Sequence, residues 1–108
     1  MYDENNIFNK IINSQIPSKK IYEDENILCF HDINPKARVH ALVIPKKQYI
    51  DFSDFTSRAG LEEVGDFFKK VDFIAKSVLN LTSFKLLTNN GQEAGQEVFH
   101  FHIHILSK

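Results

Sequence analysis

This sequence predicts an α+β fold, built on a five-stranded antiparallel sheet with two helices. The last nine residues open with three histidines that alternate with large apolar side chains, and such alternation is typical of a β-strand. A broad apolar stripe at helical spacing runs from Ser57 to Leu79. The other stretches of strand character are separated mainly by short polar turns, which join antiparallel neighbours. We expect the two helices to cover one face of the sheet.

The first part of the chain is predicted to form a helix followed by three strands. Apolar residues recur at helical spacing from Asn6 to Gln15, and Pro17 then ends the helix. A strand from Lys20 to Glu23, a polar turn and a strand from Ile27 to His31 form a hairpin. A third strand, from Val39 to Ile44, is rich in β-branched and aliphatic residues.

The second part of the chain supplies the long helix and the last two strands. The segment from Asp51 to Thr56 is predicted to be irregular, and Thr56 or Ser57 then caps a helix that ends at Leu79. Strands follow at Ser83–Thr88 and Val98–Ser107. The apolar stripe of the helix consists of Leu61, Val64, Phe67, Phe68, Val71, Ile74, Ala75, Val78 and Leu79. A stripe this wide suits a helix that packs on its own sheet and on a second subunit, so we expect a homodimer with Val71 among its interface positions.

Length and composition indicate one domain, residues 1–108, in a reducing compartment. An apolar content of 43% is sufficient for a buried core, and a net charge of -1 leaves no basic field for a nucleic acid polymer. Cys29, the single cysteine, cannot form an internal disulfide. No apolar run has the length of a membrane span, and the polar N-terminus does not resemble a signal peptide. We therefore expect a cytoplasmic protein that does not bind membranes.

The three histidines of the last strand are the strongest functional signal. On a strand, His100, His102 and His104 share one face, and same-face neighbours about 7 Å apart can surround one phosphate or one metal ion. Neutral imidazoles are good metal ligands, and an imidazole can also attack phosphorus as a nucleophile. The opposite, core-facing side of the strand is expected to carry Phe99, Phe101, Ile103 and Ile105.

A polar, glycine-bearing segment from Asn89 to Val98 leads directly into these histidines. Glycines let backbone N–H groups approach a ligand closely. The pattern His-φ-His-φ-His-φ-φ, preceded by Ala-Gly-Gln, resembles the histidine triad (HIT) family of nucleotidyl hydrolases and transferases, and within that family its HINT branch. The resemblance extends over nearly the whole chain, through the segments Ile7–Ile12, Ile16–Pro17, Phe30–Pro35 and His40–Lys46.

The resemblance implies the HIT-like fold, a homodimer and a nucleotide-binding hydrolase that needs no cofactor and no metal. It implies small-molecule substrates, namely purine nucleoside monophosphates with a small leaving group, such as phosphoramidates. His102 would attack phosphorus and form a covalent nucleotidyl-histidine. His104 would bind phosphate oxygens, His100 would orient the nucleophile, and His40 would lie near the site.

The resemblance also implies how the nucleotide is held. Asp32 matches the acidic residue that accepts hydrogen bonds from the ribose hydroxyls. The apolar positions around the base are matched by Phe8, Ile11, Phe30 and Ile33. Backbone N–H groups near Gln96 would stabilise charge on the phosphate oxygens. The approach segment supplies the other implied contacts, Asn89, Gly95, Gln96, Glu97 and Val98, with Glu97 standing where animal HINT proteins carry a small hydroxyl residue.

Three other functions stay open at this level. A dinucleoside polyphosphate hydrolase is the nearest, whereas the uridylyltransferase branch of the superfamily would carry glutamine in place of His104. A metal protein would use His100, His102 and His40 as ligands, but no further carboxylate or histidine follows downstream. A nucleotide-binding module without turnover is the third, and the intact triad weighs against it.

Overall fold

The five-stranded antiparallel sheet is confirmed in a computed structural model that describes all 108 residues. Every neighbouring pair of strands is antiparallel, and the spatial order is β1-β2-β3-β5-β4. The third and fifth strands are therefore neighbours inside the sheet, while the first and fourth form its edges. The strands are β1 (Lys20–Glu23), β2 (Ile27–His31), β3 (Val39–Pro45), β4 (Lys85–Leu87) and β5 (Ile103–Ser107).

Three α-helices accompany the sheet: α1 (Ile7–Ile12), α2 (Phe52–Arg58) and α3 (Leu61–Phe73), the last continued by a π-helical turn, Ile74–Val78. The sequence missed α2, which lies in the segment predicted to be irregular. Asp51 caps this helix, because its side chain accepts a hydrogen bond from the Asp54 N–H at 2.7 Å. Extended backbone at Ala59 then separates α2 from α3, so the long helix begins later than predicted. None of these helices has the length and apolar character needed to cross a membrane.

The helices lie on opposite faces of the sheet, so the expectation that they cover one face is wrong. Alternate residues of one strand point to opposite faces. On β2, Cys29 belongs to the core under α3, whereas Leu28 and Phe30 belong to the core under α1. The sheet is thus the middle of three layers, and the histidine-bearing face is the one that α1 partly covers.

The core under α3 is the larger of the two and is rich in aromatic rings. Phe55 of α2 stacks on Phe101 with ring centroids 4.6 Å apart, and Phe67 of α3 contacts both rings at 5.2 and 5.4 Å. All three side chains are at most 2% exposed. Offset and edge-to-face contacts of this kind add to the hydrophobic stabilisation of a core. The cluster anchors the chain immediately before β5.

The apolar stripe of the long helix divides between this core and the surface. Val71 is 1% exposed in the single chain, so it is a core position and cannot serve as the interface position that the sequence indicated. Leu61, by contrast, is 93% exposed at the beginning of α3. Two further large apolar side chains are exposed on the edge strand β4, Leu86 at 45% and Leu87 at 41%.

Candidate active site

The last strand begins at Ile103, so His100 and His102 lie in an extended segment before it rather than in the sheet ladder. Other partners hold this segment: the Phe101 N–H donates to the Tyr49 carbonyl at 2.8 Å, and the Thr88 hydroxyl donates to the His102 carbonyl at 2.8 Å. The predicted alternation of faces persists, since Phe101, Ile103 and Ile105 all lie in the core under α3. Phe99 is the exception to that prediction, at 38% exposed.

His102 is held in one orientation and one tautomer. Its Nδ1 lies 2.7 Å from the His100 carbonyl oxygen, which can only accept, so Nδ1 carries the proton. The ring packs edge-on against Phe8 at a centroid distance of 4.9 Å and is 7% exposed. Burial lowers the pKa of His102 below its ordinary value. In the neutral ring the Nε2 lone pair is therefore free, which is the form that a nucleophile needs.

His100 is completely buried, with both ring nitrogens hydrogen-bonded inside the protein. Nε2 donates to the Pro45 carbonyl at 2.7 Å, and Nδ1 lies 2.6 Å from the Tyr2 hydroxyl. Burial lowers the pKa of His100 to about 4, so the ring is neutral at pH 7. The His100 ring therefore has no free nitrogen for a substrate. His100 contacts the site through its backbone carbonyl group, which accepts the hydrogen bond from His102 Nδ1.

His40 and His104 form a hydrogen-bonded pair across β3 and β5. The two residues are diagonal neighbours on one face, because His40 pairs with Leu106 and His104 pairs with Leu42. The Lys36 N–H donates to His40 Nδ1 at 2.9 Å, so the proton of neutral His40 is on Nε2. That Nε2 lies 2.9 Å from His104 Nδ1, which must then accept, and this leaves the His104 proton on Nε2.

The electrostatic environment keeps His104 neutral. Burial, together with the nearby His102 and His40, lowers the pKa of His104 to about 4. Its ring lies 5.0 Å from the His102 ring, measured between centroids. Two neutral imidazoles thus lie side by side, His102 with a free lone pair and His104 with an N–H donor.

Asp32 joins this pair at the end of β2. One carboxylate oxygen lies 3.3 Å from His40 Nε2, and the other accepts the Asn34 N–H at 2.8 Å. Ligand atoms of Asp32, His40 and His104 all lie within 4.8 Å of one another, which is the spacing of a metal site. However, a metal ion would need the lone pair of His40 Nε2, and the Lys36 N–H directs the proton to that atom. The geometry favours a chain of hydrogen bonds over a metal centre.

The alternative ligand set from the sequence, His100, His102 and His40, is not brought together. His100 uses both nitrogens elsewhere, and His102 uses Nδ1 on a carbonyl group. The three residues whose ligand atoms lie close together are instead Asp32, His40 and His104. Alternation along the chain therefore predicted the shared face, but not which ring nitrogens are free.

The segment from Asn89 to Val98, which leads into the histidines, is a loop whose conformation is held by the Gln96 side chain. The Gln96 side chain is 4% exposed; its oxygen accepts the Gly91 N–H at 2.8 Å, and its nitrogen donates to the carbonyls of Ile50 and Val98 at 2.9 and 3.1 Å. Both N–H donors of this buried side chain are used within the protein, so Gln96 positions the loop. Gly91 and Gly95 have φ of 97° and 96°, a conformation that favours glycine and lets the loop fold around Gln96.

A cavity of about 1240 Å³ opens beside His104. The predicted site residues Asp32, His40, Asn89 and Glu97 share its wall with His104. Four basic residues also line it: Lys36, Arg38, Lys85 and Lys108.

The remaining predicted nucleotide contacts lie away from this wall. Phe8, Ile11 and Phe30 form the core under α1, at 3–7% exposed, and Val98 packs against that core. Ile33 is 82% exposed in the loop after β2. Gly95 and Gln96 belong to the loop described above. Of the apolar set, Phe8 is the residue whose ring contacts His102.

Sequence reasoning missed the groups that set the tautomers. These are the Tyr2 hydroxyl, the Pro45 carbonyl and the Lys36 N–H; the Thr88 hydroxyl, also missed, holds the His102 backbone carbonyl. Two of them are backbone groups, which every residue carries, so no residue type marks them. Tyr2 and Thr88 are polar residues next to site segments, but nothing in the sequence pairs them with His100 and His102.

A five-stranded antiparallel sheet with three alternating histidines in one short segment, the last of them on the wall of a cavity, is typical of a histidine triad protein. The family model described as "HIT domain" matches residues 13–108. The chain therefore belongs to the HIT family.

Individual relatives agree with this assignment. An uncharacterized HIT-like protein of Rickettsia prowazekii is 48% identical over 107 residues, which is 98% of this chain and 89% of that protein. The solved structure of a histidine triad protein from Clostridium difficile is 40% identical, with a TM-score of 0.87 over 100% of this chain and 94% of that one. A structure described as a HIT family hydrolase from Clostridium thermocellum is 36% identical, with a TM-score of 0.83 over 98% and 92% of the two chains.

Proposed function

We propose that this protein is a nucleotide-binding hydrolase that cleaves nucleoside monophosphate derivatives with a small leaving group. The observation that carries the proposal is the state of His102, whose Nδ1–H is fixed on the His100 carbonyl while Nε2 keeps its lone pair. The related Clostridium thermocellum structure is described as a hydrolase, which supports the same reaction class. Purine phosphoramidates are the substrates that a HINT-like protein would take.

The first step is attack on phosphorus by His102 Nε2. A bond forms between Nε2 and phosphorus, and the bond from phosphorus to the leaving nitrogen or oxygen breaks. The leaving group keeps that electron pair and takes a proton from a water molecule, while the neutral His104 Nε2–H, which His40 aligns through its own hydrogen bond, donates a hydrogen bond to a phosphate oxygen. The His100 carbonyl stabilises the positive charge that develops on the His102 ring, because it accepts the Nδ1–H.

The second step releases the nucleotide. The hydroxide left by that water molecule attacks the same phosphorus, and the bond to His102 Nε2 breaks, which returns the His102 ring to its neutral form. The product is a nucleoside monophosphate, and both imidazoles are in their starting tautomers. Two moderate barriers thus replace one high barrier, and besides water the proposed steps use only side chains and backbone groups of this chain.

Binding of the nucleotide is assigned to the cavity beside His104. We infer that the Asp32 carboxylate accepts the ribose hydroxyls, since it faces the cavity and is partly exposed. Asn89 and Glu97 line the same cavity, and we infer that they face the leaving group. Phe8 and Phe30 support the site from the core, where they orient His102 and the backbone before Asp32.

Hydrolysis of dinucleoside polyphosphates is the second candidate function. The four basic residues along the cavity favour it, because additional phosphate groups would meet positive charge there. A phosphoramidate has a single phosphate group, so it carries no additional phosphates for these basic side chains to bind. The substrate panel described below separates the two candidates.

We also propose that the protein acts as a homodimer, with β4 at the two-fold axis. This strand is an unpaired edge of the sheet and exposes Leu86 and Leu87. Edge strands with apolar side chains are normally covered, and pairing with the same strand of a second copy would cover both.

Replacement of His102 by asparagine tests the nucleophile. We expect His102→Asn to lose nearly all hydrolysis of adenosine 5'-phosphoramidate while it still binds the nucleotide, because an amide cannot form the intermediate. The measurement is turnover of a panel of adenosine and guanosine phosphoramidates and dinucleoside polyphosphates, with binding followed by calorimetry. His31→Asn is the matched control, since His31 is exposed at the end of β2 and lies outside the cavity. Activity of His102→Asn within tenfold of the parent protein would overturn the assignment.

A further inference from the structure

We propose that Tyr2 is a positioning residue for this reaction: its hydroxyl fixes the ring of His100, and the His100 carbonyl in turn orients the nucleophile His102. This inference rests on the proposed function for its kinetic consequence. The hydrogen bonds that it invokes are separate from that function and have their own test.

The contact between Tyr2 and His100 is short in space and joins residues that are far apart in the sequence. The hydroxyl oxygen lies 2.6 Å from His100 Nδ1, across 98 residues of sequence. The two rings meet edge-to-face with centroids 5.6 Å apart. A hydrogen bond and an aromatic contact together define both the distance and the angle between the rings.

The direction of this hydrogen bond follows from the other side of the His100 ring. The Pro45 carbonyl can only accept, so it assigns the ring proton to Nε2. Nδ1 of the neutral ring is then an acceptor, and the Tyr2 hydroxyl is the donor. Burial raises the pKa of Tyr2 and lowers that of His100, so at neutral pH the phenol keeps its proton and the imidazole stays neutral.

Tyr2 is itself held in place by the segment that leads into α1. The Asn6 side chain donates to the Asp3 carbonyl at 2.7 Å and caps the helix by accepting the Asn9 N–H at 2.9 Å. The Asn9 side chain donates back to the Glu4 carbonyl at 3.0 Å. The hydroxyl therefore approaches His100 from an ordered segment rather than from a free chain end.

Two anchors on one buried ring leave the His100 peptide little freedom to rotate. The peptide group that carries the His100 carbonyl is also held directly, because its N–H, that of Phe101, donates to the Tyr49 carbonyl. The His100 carbonyl consequently points in one direction, toward His102 Nδ1. Removal of the Tyr2 hydroxyl would leave His100 Nδ1 as a buried acceptor without a partner, a state that among buried side-chain atoms is otherwise found only at Ser18 Oγ.

The kinetic test is the variant Tyr2→Phe, which keeps the ring and removes only the oxygen. We expect kcat for the parent protein's best substrate to fall about tenfold with KM changed by less than about twofold, because substrate contacts are untouched while the nucleophile is less well oriented. Tyr22→Phe is the matched control, since the Tyr22 hydroxyl bonds Asp24 far from the site. A kcat for Tyr2→Phe within twofold of this control would overturn the proposal.

The direct test is independent of activity. Long-range ¹H–¹⁵N spectra at pH 7 report the tautomer of each histidine, and we expect His100 to carry its proton on Nε2 with a hydrogen-bonded Nδ1. In Tyr2→Phe the Nδ1 resonance of His100 should move downfield as that bond is lost, and the His102 ring signals should shift as well. A parent protein with His100 protonated on Nδ1, or unchanged His100 and His102 signals in the variant, would refute the inference. A parent protein that hydrolyses none of the panel would refute the proposed function and leave this test intact.

Discussion

Mild acid should destabilise this protein through its buried histidines. The pKa of His100 falls from its ordinary value of 6.5 to about 4 on folding, because the ring is fully buried. The unfolded chain therefore binds a proton near pH 6.5 that the folded protein does not bind until about pH 4. Between these two values the unfolded state carries more protons, so stability falls as the pH falls.

The size of this effect follows from the two pKa values. For His100 alone, the free energy of unfolding should drop by about 1.5 kcal/mol between pH 6.5 and pH 5, and by about 3 kcal/mol by pH 4. The pKa values of His102 and His104 are lowered too, so both act in the same direction. The carboxyl groups of Asp24 and Asp54, whose pKa values are lowered to about 2, lose their contribution only below about pH 4.

Urea denaturation at half-unit steps from pH 6.5 to pH 5 measures this slope. We expect unfolding to take up about two protons at pH 5.5, nearly one each at His100 and His104 with a further contribution from His102, and the slope of the unfolding free energy against pH reports this number directly. The variant His100→Phe should lower stability at pH 7 but remove nearly one proton from that slope. A parent slope equivalent to less than half a proton, or an unchanged slope in His100→Phe, would show that His100 is not held neutral by burial.

Three further outcomes are expected. Gln96→Leu should lower the free energy of unfolding by about 3 kcal/mol, since it removes three hydrogen bonds of about 1 kcal/mol each. The control Gln92→Leu, at an exposed position of the same loop, should change this free energy little. Equal effects of the two variants in urea denaturation would show that Gln96 does not hold the loop in place. Leu86→Glu should give a folded species of 12.5 kDa, the mass of one chain, in sedimentation equilibrium if β4 forms the dimer interface, and an unchanged mass would exclude that interface. Activity of the parent protein should survive EDTA, because His40 Nε2 carries a proton rather than a lone pair; loss on chelation with recovery on one added metal would favour the metal site.

Elements with a strong local pattern were predictable from the sequence. The bounds of β1 and β2 agree with the prediction, because a polar turn separates two short runs that each suit a strand. The faces of Phe101, Ile103 and Ile105 followed from alternation alone. Patterns of this kind depend on residues close in sequence, and a single chain displays them directly.

Other features depend on contacts that no local pattern records. The segment of α2 has several serine, threonine and aspartate residues, which favour turns as much as helices, and its formation depends on the Asp51 cap and on the burial of Phe55. The strand β5 begins later than its alternation indicates because the Phe101 N–H bonds to Tyr49 outside the ladder. In the site, the residue types were predictable, but the donors that select each tautomer come from distant parts of the chain.

The unequal cores on the two faces of the sheet imply that the molecule opens in parts. The core under α3 contains 13 buried residues, whereas the core under α1 contains six and rests on a helix of six residues. The free energy needed to detach α1 is therefore a fraction of that needed for global unfolding, and its amides should exchange with solvent well before those of α3. Such a partial opening would withdraw Phe8 and Tyr2 from the histidines while the sheet stays folded. On this reasoning the first helix would form a detachable support behind His102, and the equilibrium of its docking would set the fraction of molecules in which that ring is held in place.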